Sequence, residues 1–99
     1  MNERIWRKAT RPCRRALARW GVQRQVTRAV EELGELLTAL SRFPKRATPE
    51  EVADEIADVM IMCRQLSMAF GDELVTQRFT AKLQRLSEDV TTSVKGVEP

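Results

Sequence analysis

The chain has 99 residues and a mass of 11.3 kDa, enough for one domain and not for two. With 42% hydrophobic and 31% charged residues and a net charge of +3, its composition is that expected of a soluble globular domain. It has no histidine and two cysteines, Cys13 and Cys63, which excludes Ser-His triads, Cys-His pairs, His-ligated zinc, Cys-rich zinc sites and a disulfide scaffold within one chain. Any chemistry then rests on carboxylates, lysines, arginines and an ion they hold.

The charge is unevenly spread. Residues 1–28 carry nine basic residues (Arg4, Arg7, Lys8, Arg11, Arg14, Arg15, Arg19, Arg24 and Arg28) against the single acid Glu3, while the remainder is acidic on balance. Three readings stay open: nucleic-acid contact, attraction of a polyphosphate ligand, and a solvated arginine-rich face that pairs with acids elsewhere. The longest apolar run, Val59 to Cys63, is far too short to span a membrane. Arg4, Arg7 and Lys8 have no apolar stretch behind them, so no secretory signal is read and a cytoplasmic protein is expected.

The pattern is helical almost throughout. Thr10-Arg11-Pro12 is expected to open a first helix that runs to Trp20 and stops at Gly21; residues 1–15 form its start or a basic arm. A second helix is expected over Val22 to Arg42, with Val22, Val26, Ala29, Leu33, Leu36, Leu37 and Leu40 facing inward. After a short linker, Thr48 suits an N-cap, Pro49 the first helical position and Glu51 a capping box, opening a third helix to about Phe70. Asp72 is expected to cap a fourth helix to about Val90, with Leu74, Phe79, Leu83, Leu86 and Val90 inward, and residues 91–99 form a polar tail. The fold class is all-α and four-helix-bundle-like, with antiparallel neighbours across short connections.

Two stretches carry the same pattern. Val30-Glu31-Glu32-Leu33-Gly34-Glu35-Leu36-Leu37 matches Ala53-Asp54-Glu55-Ile56-Ala57-Asp58-Val59-Met60 as apolar, acid, acid, apolar, small, acid, apolar, apolar. Glu31 and Asp54 point away from the apolar stripes and read as solvated. Glu32 with Glu35, and Glu55 with Asp58, flank those stripes at a spacing of three. Asp58 is the only polar residue from Ile56 to Cys63, so a buried carboxylate is expected there. Four acids converging between two helices repel one another, and either a divalent cation or a salt-bridged network resolves this. Oxygen ligands without His or Cys suit Mg²⁺, with Mn²⁺ as a substitute. Gly34 and Ala57 are read as letting the two helices approach closely. Trp6 and Trp20 are read as anchors that are also able to stack on a base, Cys63 as a core residue, and Cys13 as semi-exposed among arginines.

These residues resemble the all-α nucleoside triphosphate pyrophosphohydrolases, the MazG-like superfamily. Its E-E-x-x-E motif followed by E-x-x-D corresponds to Glu31-Glu32-Leu33-Gly34-Glu35 and Glu55-Ile56-Ala57-Asp58. Trp20-Gly21 with Gln25 looks like the lead-in of small phage-type members, and Lys82-Leu83-Gln84-Arg85-Leu86 like a later family element. The resemblance covers roughly residues 16–87 and marks residues 16–90 as the helical domain. It implies cleavage of a nucleoside triphosphate between the α- and β-phosphates, giving a monophosphate and pyrophosphate. It assigns Glu32, Glu35, Glu55 and Asp58 as Mg²⁺ ligands, Glu31 as a further acid of the catalytic set, and Lys82, Arg85 and Arg78 as phosphate contacts. It also implies a homodimer or tetramer, in line with the small core expected of so short a chain. No Walker A sequence is present.

Overall fold

Two glycines and one threonine set the helix boundaries. The computed structural model describes residues 3–97, with side chains for 3–92. It is all-helical among those residues: α1 (Glu3–Trp20), α2 (Val22–Arg42), α3 (Pro49–Phe70) and α4 (Asp72–Val97). Gly21 and Gly71 separate α1 from α2 and α3 from α4, and both have positive φ, 86° and 111°, a region that side chains with a Cβ rarely enter. The Glu51 amide donates to Thr48 Oγ1 at 3.1 Å, so Thr48 caps α3 as its position predicts.

The first helix does not open at Pro12. It starts at Glu3 and runs through Pro12, which lies in its interior. An internal proline removes one backbone hydrogen bond and costs about 3 kcal/mol. Tertiary contacts on both sides of Pro12 hold the helix through it. Arg64 of α3 donates from Nη2 to Thr10 Oγ1 at 3.1 Å, and its guanidinium lies 5.2 Å from the centre of the Trp6 ring. The Cys13 thiol points at the Ile61 carbonyl oxygen, 3.7 Å away. At the other end of the chain, the expected polar tail is helical as far as Val97. Met1, Asn2, Glu98 and Pro99 lie outside the described residues.

The helices form two units, one ending at Ala69 and one starting at Phe70. In the first unit, α2 does not bury the face its apolar pattern predicts. The buried row runs Gln25, Ala29, Glu32, with Leu36 and Ala39 half-buried beyond it. Leu33, Leu37 and Leu40 are exposed, Leu37 to 69%. At 100° per residue the buried face is turned about 60° from the leucine stripe. With this face turned inward, Gln25 pairs with Gln65 of α3 and Glu32 faces the acids of α3, which leaves part of the apolar stripe outside. Cys13 and Cys63 are exchanged relative to expectation, Cys13 being buried and Cys63 exposed. Burial pushes the Cys13 thiol above its ordinary range, against the opposing pull of Arg64, so it is not an activated thiolate.

In the second unit, the row expected to face inward is exposed: Leu74, Phe79, Leu83, Leu86 and Val90 all present more than half of their surface. No side chain among the described residues is fully buried, and the buried apolar residues are Cys13, Ala29, Ala47 and Met62 alone. No described helix is long and apolar enough to cross a membrane.

Candidate metal centre

The acid pairs of α2 and α3 meet. Glu32 and Glu35, one turn apart on α2, and Glu55 and Asp58, one turn apart on α3, each offer a carboxylate oxygen, and the four oxygens lie within 4.8 Å of one another. Glu32 is 6% exposed, Glu55 is half-buried, and Glu35 and Asp58 are exposed. The buried carboxylate is thus Glu32 rather than the expected Asp58: the apolar surface around Asp58, including Ile56 and Ile61, stays largely open.

The electrostatics of this cluster are unresolved by protein groups. Glu32 Oε1 forms an ion pair with Arg28 Nε at 3.1 Å. Its second oxygen, and Oε2 of Glu55, are buried without a hydrogen-bond partner. Burial raises both carboxyls above their ordinary range, and the Glu35 charge is the next contributor to each. Asp58 adds to both, Asp54 adds to Glu55, and Arg28 acts in the opposite sense on Glu32. Two buried acceptors beside two further acids form a group that could hold a cation. The all-oxygen donor set fits a hard divalent ion such as Mg²⁺ or Mn²⁺. Such an ion would be held by Glu32, Glu35, Glu55 and Asp58.

A cleft opens on each side of the cluster. One, of about 620 Å³, is lined by Trp20, Arg24, Gln25, Arg28, Glu32, Asp58 and Gln65 among others. Its floor is a buried amide pair in which Gln25 Nε2 donates to Gln65 Oε1 at 2.6 Å. The other, of about 580 Å³, is lined by Gly34, Glu35, Thr38, Arg42, Asp54 and Glu55 among others. Glu31 is exposed and outside the four-acid cluster, but it rims both clefts. Arg78, Lys82 and Arg85 are exposed along α4 in the second unit.

Sequence reading missed Gln65 and the paired roles of Arg28 and Arg64. Gln65 had a usable signal, since it lies seven residues after Asp58 and so repeats on the same helix face. Arg28 precedes Glu32 by one turn, a spacing at which ion pairs form. The buried Arg64 follows an apolar run and gives no such signal.

The small residues do not mark a close helix contact. Gly34 and Ala57 are exposed, and a Cβ added at Gly34 would meet nothing within 4 Å. Gly34→Ala should therefore stabilise the chain by up to about 1 kcal/mol through helix propensity, raising Tm by about 4–8 °C in calorimetry. A fall in Tm would mean that something else fills this space in solution.

Comparison with protein-family models, with curated proteins and with solved structures gave no match to the chain.

Proposed function

We propose that the protein is a Mg²⁺-dependent nucleoside triphosphate pyrophosphohydrolase of the MazG-like kind, releasing a nucleoside monophosphate and pyrophosphate. The observation that carries this reading is the meeting of four carboxylates with two buried, unpartnered oxygens beside a cleft that also holds arginines. A structural salt-bridge network needs a base facing each buried acid, and Glu55 has none among the described ion pairs. When bound, the ion neutralises charge at the scissile phosphates and activates water for attack.

The chain's own residues supply position. Glu32, Glu35, Glu55 and Asp58 fix the ion, and their two-helix origin makes its place depend on how α2 packs on α3. Arg24 and Arg28, on successive turns of α2, bind phosphate oxygens from the cleft wall. Arg28 pairs with Glu32 in the structure and would be released to bind a phosphate were a cation to hold that carboxylate. Lys82 and Arg85, which occupy the element that resembles the family's, and Arg78 near it are carried as further phosphate contacts on that resemblance alone. Trp20, 49% exposed at the cleft, offers a stacking face for a base. The Gln25–Gln65 amides provide donors and acceptors for its edge. The active form in this proposal is a homodimer or tetramer in the cytoplasm.

Incubation with a panel of ribo- and deoxyribonucleoside triphosphates, with Mg²⁺ and with chelator, tests this. Monophosphate and pyrophosphate in equal amounts, formed with Mg²⁺ alone, are expected by anion-exchange chromatography. Orthophosphate as the first product, or no turnover of any nucleotide, would overturn the reading.

A further inference from the structure

The outer face of α1 plays no part in the proposed chemistry, and its charge is concentrated in a way the site does not require. Arg4, Arg7, Lys8, Arg11, Arg14, Arg15 and Arg19 are all exposed. At 100° per residue they fall within an arc of about 140°, along roughly 23 Å of helix axis. Glu3 is the one acid on this helix, and it pairs with Arg7 at 3.1 Å. Lys8, Arg11, Arg14, Arg15 and Arg19 form no ion pair with an acid among the described residues. The surface is therefore not balanced from within.

We propose that this face of α1 is a nucleic-acid-binding surface that docks on a phosphate backbone. Three features select that partner. A row about 23 Å long is far longer than a single triphosphate, so the complementary charge belongs to a polymer. The cations are arginines with one exception, and guanidinium groups grip phosphate oxygens in pairs. The third feature is the opposite face. An amphipathic helix lying in a lipid surface needs its apolar side free. Here the middle of that side is committed, with Trp6 and Thr10 held by Arg64 and Cys13 set against Ile61 of α3. Ile5 and Trp20 stay exposed at its edges, and most of what α1 presents outward is charge.

The surface also has relief. Arg11, Arg15 and Arg19 form a ridge with a spacing of four, beside a shallow groove that Pro12, Ala16 and Trp20 line with them. The ridge places one guanidinium per ~6 Å of helix axis, far enough apart for each to meet a separate phosphate of a nucleic-acid backbone. The interior Pro12 and the small Ala16 keep the groove open, and Trp20 ends it.

The test uses the full chain and a fluorescein-labelled 20-base-pair DNA duplex of mixed sequence, with anisotropy read from 50 to 300 mM KCl. Binding is expected to weaken linearly on logarithmic axes with a slope of about −4 to −6, for five to seven phosphates neutralised. The triple variant Arg11→Gln, Arg15→Gln, Arg19→Gln should lower that slope by about 3 and weaken binding at least ~10-fold at 50 mM KCl. Circular dichroism establishes that it stays helical, and the wild-type slope decides the matter if it does not. No binding at 50 mM KCl, a flat salt dependence, or a folded triple variant that binds like wild type would overturn the proposal. So would capture by phosphatidylserine vesicles with the duplex left unbound, which would assign the face to a membrane surface.

Discussion

Replacing Glu35 by Gln is expected to abolish turnover and, in the same protein, to raise the thermal stability of the metal-free chain. The two effects share one cause. Glu35 is exposed, so the amide loses little packing. Its charge is the largest contributor after burial to the raised carboxyls of both Glu32 and Glu55. Removing it relieves repulsion without metal and removes a ligand when metal is required. Loss of outer partners of metal ligands costs 10–100-fold in activity, so loss of a ligand should cost at least ~100-fold. The monophosphate assay reads the first effect and thermal unfolding in chelator reads the second. A variant that is both active and unchanged in Tm would show that the cluster does not hold a catalytic ion.

The same acids give the wild type a pH signature. Glu32 and Glu55 take up protons more readily folded than unfolded, because burial and neighbouring charge raise their folded values. Their contribution opposes folding at neutral pH. It fades as pH falls through the raised folded values, so metal-free stability should increase on mild acidification. Mg²⁺ competes with those protons, so its stabilising effect should increase with pH. Glu35→Gln should flatten both trends.

The second large effect concerns assembly. Among the described residues four apolar side chains are buried, a small core for this length, while α2 leaves Leu33, Leu37 and Leu40 exposed and α4 leaves Phe79, Leu83 and Leu86 exposed. Apolar rows of this extent call for a partner surface, and a second copy is the partner present whenever the chain is made alone. The protein is expected to be at least a dimer at micromolar concentration by light scattering. Leu33→Lys with Leu37→Lys removes from each copy two exposed leucines that a dimer would bury, each then worth about 1.5–3 kcal/mol. Dissociation should therefore become easier by more than ~1000-fold, giving monomers or unfolded chain. A wild-type monomer at tens of micromolar would contradict this.

Much of the local structure was legible in the residue order. Gly21 and Gly71 end helices because their backbone takes positive φ, and Thr48 caps α3 through its own hydroxyl. The acid pairs could be placed on common helix faces because a spacing of three needs only helical geometry. Pro12 was misread because proline at a helix start and proline in a helix interior look alike in sequence. What separates them is whether neighbouring residues are held, and Trp6, Thr10 and Cys13 are held by α3.

Four helices, their breaks, the pairing of acids on α2 and α3, and the concentration of arginine on α1 are legible in residue order, since each follows from local conformational preference and a fixed periodicity. Which face of each helix is covered depends on how the helices pack. That packing turns α2 so that Gln25 and Glu32 lie inside and three leucines outside, buries Cys13 instead of Cys63, and leaves the Glu32 and Glu55 oxygens unpartnered. The physical reason is that an apolar stripe states that burial is needed without stating by what. In a chain too small to cover every stripe, the covered face of α2 is the one that carries the Gln25–Gln65 pair and the acid cluster.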